Sequence, residues 1–211
     1  MDFTKAKENM IQYHLKARGI KNPHVLDAMR KVDRHLFVPP EYQKEAYYDG
    51  PIPIGFGQTI SQPYIVAYMT EMLNPQPEDK VLEIGCGSGY QAAVFAEIVK
   101  EVYTIEIIKP LYERAQKTLQ KLGYKNIYCK LGDGYEGWPE KAPFDIILFA
   151  AAPKERIPEP VISQLAKGGR LIAPVGEIYQ QLVLITKDKT GSLHTKPLIP
   201  VRFVPLTGKG G

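Results

Sequence analysis

A chain of 211 residues, 44% of them hydrophobic and 24% charged, is long enough for one α/β domain with a sizeable core and has an ordinary globular balance. Its formal charge of +4 alternates with acids along the chain instead of gathering into one stripe, so no nucleic-acid partner is expected. No apolar run approaches the roughly 18 residues of a membrane helix, and two cysteines, Cys86 and Cys129, cannot build a multi-bridge framework.

No signal-peptide pattern opens the chain, so a monomer in the reducing cytoplasm, away from membranes, is the expectation. His14, His24, His35 and His194 show no ligand spacing, and no metal is expected.

Residues 4–18 carry Met10, Ile11 and Leu15 at helical spacing and stop at Gly19. Asn22-Pro23 reads as the cap and first turn of a helix over HVLDAMRKV. Residues 34–58, RHLFVPPEYQKEAYYDGPIPIGFGQ, read as a long irregular loop, and a loop of that length inside a compact domain is usually functional. It runs into a predicted helix, PYIVAYMTEML.

From Lys80 the pattern alternates. KVLEIG is a strand, YQAAVFAEIV a helix, VYTIE a strand and PLYERAQKTLQKLG a helix. NIYCKLGDG and FDIILFAAA are further strands, IPEPVISQLAKGG a helix and RLIAPVG a fifth strand. Continuous apolar strands between helices predict a doubly wound, mostly parallel α/β sheet of Rossmann-like type. QLVLITKD and TKPLIPVRFVPLTG predict an antiparallel C-terminal strand pair. The reading is a single domain, with 1–62 an N-terminal helical and loop extension and 63–211 a cofactor-binding core.

In such sheets a ligand sits beyond the carboxyl ends of the strands. The first strand ends in Glu83-Ile84-Gly85-Cys86-Gly87-Ser88-Gly89, where glycines let backbone approach a ligand. Tyr90 occupies the place of the third fingerprint glycine, which disfavours a nicotinamide oxidoreductase. Glu83 would repel a diphosphate and attract a cationic amino-acid tail. Glu106, at the end of the second strand, can accept from both hydroxyls of a ribose. Asp133, between Gly132 and Gly134, can accept from an exocyclic amine such as adenine N6. Taken singly these are a packing turn, a surface acid and a turn residue. In order along the chain they describe S-adenosylmethionine, and the set resembles the class I methyltransferase pattern.

After the fourth strand stands Ala150-Ala151-Ala152-Pro153, without the Asn/Asp-Pro-Pro signature of amino-group methyltransferases, which speaks against an RNA or amine acceptor. A carboxylate acceptor, ionised above a pKa of about 4, needs no general base. A cofactor-binding scaffold without turnover stays open on these residues alone.

GQTISQP, LEIGCGSGYQAAV, GDG, PFDIILFAAA, QLAKGGRLIAPVG and FVPLTG, with VDRHLFVPPEY before them, resemble the protein-L-isoaspartate O-methyltransferase family. The resemblance implies methylation of the α-carboxylate of L-isoaspartyl residues in damaged proteins and peptides. Repair to Asp would follow through a methyl ester and a succinimide, with S-adenosylhomocysteine as the spent cofactor.

It also implies that Thr59, Ile60 and Ser61 lie between cofactor and acceptor, that Gly85, Gly87, Gly89 and Gly134 belong to the cofactor site, and that Val204 grips the peptide while Thr207 stands near the cofactor. Some relatives carry Ala at position 62 and His at 64, where this chain has Gln62 and Tyr64. Ser61 then reads as a positioner of the attacking carboxylate, with a helix N-cap as the alternative. Tyr47, Tyr48 and Phe56 are expected to shield the site from water.

Overall fold

The structure is a computed structural model that describes residues 2–209. Asp2 accepts from the Lys5 N–H and opens α1 (Phe3–Asn9). The helical path continues through a wider π-type stretch, Met10–Leu15, and a tight turn, Lys16–Arg18, to end at Gly19 with φ 96°. Met10, Ile11 and Leu15 are buried, as their spacing predicts. In α2 (Pro23–Lys31) the Asn22 side chain accepts from the N–H groups of His24 and Val25. Pro23 at the first position forfeits no helical hydrogen bond.

Residues 34–58 are more ordered than the predicted loop. Two short helical turns, Arg34–Phe37 and Pro40–Glu45, precede a hairpin of β1 (Ile52–Gly55) and β2 (Gln58–Ile60). Its two turn residues, Phe56 and Gly57, have φ of 55° and 70°, the positive pair whose twist matches antiparallel strands. Arg34 is fully buried behind these turns. Its Nε donates to the Ala46 carbonyl at 2.7 Å and its guanidinium lies 4.9 Å from the Tyr90 ring.

After α3 (Pro63–Leu73) come β3 (Lys80–Ile84), α4 (Tyr90–Ala96), β4 (Glu101–Glu106), α5 (Lys109–Lys121), β5 (Ile127–Leu131) and β6 (Phe144–Phe149). The chain closes with α6 (Glu159–Ile162), β7 (Leu165–Val175), β8 (Gln180–Lys187) and β9 (Leu193–Val201). One sheet has the order β5-β4-β3-β6-β7-β8-β9, parallel from β5 to β7 and antiparallel at β7–β8 and β8–β9. The order reverses beside β3, so the switch point falls between β3 and β6.

The helix expected over residues 157–169 is corrected to a single turn. Gln164 ends it by donating through its side chain to the Pro160 and Glu136 carbonyls while accepting from the Trp138 N–H. β7 starts at once at Leu165, and the Lys167-Gly168-Gly169 stretch forms an irregularity in its pairing with β6. Gly168, at φ 82°, supplies the needed backbone.

Met10, Ile11, Leu15, Val25, Met29, Phe37 and Ile54 form one apolar cluster with Val66 of α3, Tyr90 and Val94 of α4 and Leu119 of α5. The N-terminal segment therefore shares its core with the helices on that face of the sheet. Burial of each large aliphatic side chain there contributes about 1.5–3 kcal/mol.

Candidate active site

The ends of β2, β3, β4 and β6 and residues 204–207 surround a cleft whose empty volume, mouth included, is about 770 Å³. Thr59, Ile60, Ser61, Glu83, Gly85, Gly87, Glu106, Gly134, Val204 and Thr207, all expected at the site, line it. The loop after β3 is held by two N–H groups, of Gly85 and Cys86, that both donate to the Ile105 carbonyl at 3.0 Å. Gly85 and Gly87 sit at φ 94° and 55°, which a side chain would oppose.

Glu106 anchors the same loop: Oε2 accepts from the Gly87 N–H at 2.7 Å and Oε1 from the Ile108 N–H at 2.9 Å. Each carboxylate oxygen keeps a second lone pair, so two hydroxyls can still be received.

Glu83 is fully buried between β4 and β6. Thr104 Oγ1 donates to its Oε2 at 2.5 Å, while Oε1 has no partner among the described residues. Burial pushes its pKa up to about 8, against the smaller opposing pull of the Thr104 hydrogen bond. A buried acceptor left open at the cleft wall fits a bound cation, and this is the observation by which the donor set suits S-adenosylmethionine. The close backbone supports that fit: a Cβ on Gly134 would lie 2.6 Å from Ile84 Cγ2, so only glycine leaves the wall flush.

Two expected cofactor residues do not line the cleft itself. Gly89 is turned away from the cleft, and a Cβ there would meet Leu119 and Ala115 of α5; its job is to seat α4 against α5. Asp133 faces a neighbouring cavity that meets the first at Ile107. Its Oδ1 accepts from the Tyr135 N–H at 2.9 Å and its Oδ2 from the Lys209 N–H at 2.7 Å. Ile107 lines the cleft and was not singled out in the sequence; Ala150 and Ala151, weighed there only for the amine signature they lack, line it too.

The aromatic shield is corrected as well. Tyr47 is buried in the N-terminal core against His35, and Tyr48 and Phe56 project into solvent; none of the three lines the cleft. Among the described residues no group of three His, Cys, Asp or Glu is placed to hold a metal ion, and no helix is long and apolar enough to cross a membrane.

A second cavity opens beside the cleft, between Arg18, Pro51, Gln62, Tyr64 and Ile65 on one wall and residues 199–204 on the other. Thr59, Ser61, Ala150 and Val204 belong to both cavities. The N-cap of α3 is Gln62, with no side-chain capping bond, and Ser61 Oγ has no hydrogen-bond partner among the described residues. Ser61 is therefore not a cap. The Val204 carbonyl accepts from the Ala152 N–H at 2.8 Å, so what it offers an acceptor is its N–H.

A doubly wound sheet with a cation-ready acid, a hydroxyl-ready acid and a glycine loop at its switch point defines a class I S-adenosylmethionine-dependent methyltransferase. Residues 5–211 match the sequence profile described as protein-L-isoaspartate(D-aspartate) O-methyltransferase. The chain belongs to that family. It is 55% identical to the protein-L-isoaspartate O-methyltransferase of Gloeobacter violaceus, over 94% of this chain and 97% of that one. It is 53% identical to protein-L-isoaspartate O-methyltransferase 1 of Syntrophobacter fumaroxidans, over 100% of this chain and 98% of that one.

A solved protein-L-isoaspartate O-methyltransferase superposes with a TM-score of 0.87 at 29% identity, covering 96% of this chain and 66% of the other. A Plasmodium falciparum protein described under the same family name, in complex with S-adenosyl-L-homocysteine, superposes with a TM-score of 0.83 at 27% identity, covering 95% and 98%. The chain is thus an S-adenosylmethionine-dependent enzyme that methylates the α-carboxylate of isoaspartyl residues and starts their return to Asp.

Proposed function

We propose that the cleft takes the cofactor, that the adjoining groove takes the isoaspartyl segment, and that Ser61 aims the α-carboxylate of that segment across their common wall. The observation that supports this division is that Thr59, Ser61, Ala150 and Val204 line both cavities. When bound, S-adenosylmethionine supplies an electrophilic methyl group on a sulfonium.

The chain's residues have separate tasks. Glu83 Oε1 receives the ammonium group, Glu106 the ribose hydroxyls and Asp133, in the joined cavity, the adenine amine. Gly85, Gly87 and Gly134 keep the wall low, and Thr59, Ile60 and Thr207 close the rim. Ser61 Oγ, without a partner among the described residues, donates to one oxygen of the acceptor carboxylate and leaves the other to attack in line. The Val204 N–H holds a carbonyl of the peptide. The acceptor is ionised at neutral pH, so no side chain has to take a proton from it. On this reading the enzyme is a monomer that acts on peptides and proteins in the cytoplasm, without nucleic acid or membrane.

An isoaspartyl residue carries its α-carboxylate one methylene nearer the main chain than the carboxylate of Asp. A groove that fixes the backbone places one isomer alone in line, and an error of about 1 Å costs on the order of a hundredfold. The test offers methyl-labelled S-adenosylmethionine with an isoAsp peptide and its Asp twin. Labelling of the isoAsp peptide alone, lost as methanol in mild base, is the expected result. Equal labelling of both peptides defeats the repair reading, and a base-stable label would mean methylation at nitrogen.

A further inference from the structure

The residues around Ser61 that the chemistry above leaves unused form a clamp. Arg18 lies in the turn that ends the first helical segment, far from Ser61 in sequence. Its NH1 donates to Asp49 Oδ2 at 2.6 Å, and its guanidinium carbon lies 3.6 Å from the centre of the Tyr64 ring. Tyr64 stacks in turn on Tyr68, with ring centres 5.7 Å apart. Asp49 also accepts, through its backbone carbonyl, from Gln62 Nε2 at 3.1 Å. The cap and first turn of α3, on the C-terminal side of Ser61, are thus tied to Asp49 by Gln62 and to Arg18 by Tyr64. On the N-terminal side, Ile60 pairs with Ile52 in the hairpin.

Ser61 Oγ has no hydrogen-bond partner among the described residues, so its place follows from the backbone that these neighbours hold. The ion pair is partly exposed, 43% at Arg18 and 22% at Asp49, and water screens such a pair enough that its effect on stability is small. Asp49 Oδ1 is buried with no partner among the described residues.

We infer that Arg18, with Asp49, is a positioning residue for methyl transfer: it holds Gln62 and Tyr64 so that the Ser61 hydroxyl points across the common wall of cleft and groove. The inference rests on the proposed role of Ser61. Arg18 suits the task because a planar guanidinium can stack on a ring and hydrogen-bond at its edge at once, which an ammonium cannot.

The experiment compares kcat on an isoAsp peptide, S-adenosylhomocysteine affinity by calorimetry, and the melting curve for five variants. Arg18→Gln should lower kcat about tenfold or more, since small errors of aim are costly, while S-adenosylhomocysteine affinity stays within about twofold. Arg18→Lys keeps the charge and loses the stack, and should restore part of the rate. Gln62→Ala removes a single half-exposed hydrogen bond without risk to folding, and should lower kcat about threefold.

The deciding measurement is Arg18→Gln combined with Ser61→Ala. A clamp that acts through Ser61 has nothing left to aim in that background, so the further loss should be under about twofold. The same loss in both backgrounds, or full kcat in Arg18→Gln and Gln62→Ala below their melting range, overturns the inference. Full kcat in Ser61→Ala alone removes the role of Ser61 itself, and the clamp falls with it for that separate reason.

Discussion

Thr104 Oγ1 donates to Glu83 Oε2 at 2.5 Å across the β3–β4 pair, and the other oxygen of Glu83 is buried with nothing to accept from. Glu83 thus carries a pKa of about 8 in the folded chain, against an ordinary value of 4.5. Below pH 4.5 the group is protonated folded or unfolded and has no effect on stability. Between 4.5 and 8 the unfolded chain loses the proton and the folded chain keeps it, so the folded state loses about 1.4 kcal/mol per pH unit from this group, levelling off above 8. Glu83→Gln should be more stable than the parent at neutral pH, by a margin that grows from pH 5 to pH 8. Urea midpoints across that range check it, and a constant margin would mean that Glu83 ionises freely.

The same oxygen makes cofactor binding pH-dependent. An ammonium group against Oε1 favours the ionised acid, so binding near pH 7 should release a proton and strengthen as pH rises toward 8. Calorimetry of S-adenosylhomocysteine in buffers of different ionisation enthalpy reads the proton directly. No dependence on the buffer would remove Glu83 from the ammonium site.

Glu106 holds the N–H groups of Gly87 and Ile108 and lines the cleft as well. Glu106→Ala should weaken S-adenosylhomocysteine binding roughly ten- to a hundredfold, since a bond to a charged group is worth about 1.5–3 kcal/mol. Glu106→Gln should do little better, because its amide would face an N–H group with an N–H of its own. Unchanged affinity in either variant would take the ribose away from this residue.

Ser61→Ala should lower kcat strongly and leave the melting temperature where it was, because the hydroxyl caps nothing and Gln62 holds the N-cap position. A lost cap would instead remove about 1 kcal/mol of stability. Rate and melting curve on one sample decide between them.

Gly134→Ala places a methyl 2.6 Å from Ile84 Cγ2. Overpacking of this kind destabilises by about 1–3 kcal/mol, and here it also raises the cleft wall. A lower denaturation midpoint together with weaker S-adenosylhomocysteine binding is expected; a loss of stability with full affinity would place the strain away from the ligand.

The sheet was readable because its parallel strands are continuous apolar runs, and the ends of those runs carried Glu83, Glu106 and Gly134 to the cleft. The hairpin at Ile52–Ile60 was not, because its turn uses Phe56 at positive φ where Asn would have announced it. The start of β7 was hidden by apolar residues that also fit a helix, and only the side chain of Gln164 stops the turn there. Gly89 misled for the opposite reason: one glycine run serves both a ligand loop and a helix contact, and spacing does not separate the two. Arg18 and Asp49 left no trace in the sequence, since their meaning lies in a contact between distant segments.

The two walls of the groove come from opposite ends of the chain, Arg18 to Ile65 on one side and residues 199–204 on the other. During synthesis the first wall leaves the ribosome before any strand of the large sheet, and β3 to β8 follow before β9 is made. The acceptor side has to wait for β9 to return to a segment made long before, a closure that is slow because the connecting chain is long. An enzyme that handles damaged polypeptides therefore completes its hold on other chains only once β9 has been made and paired with β8.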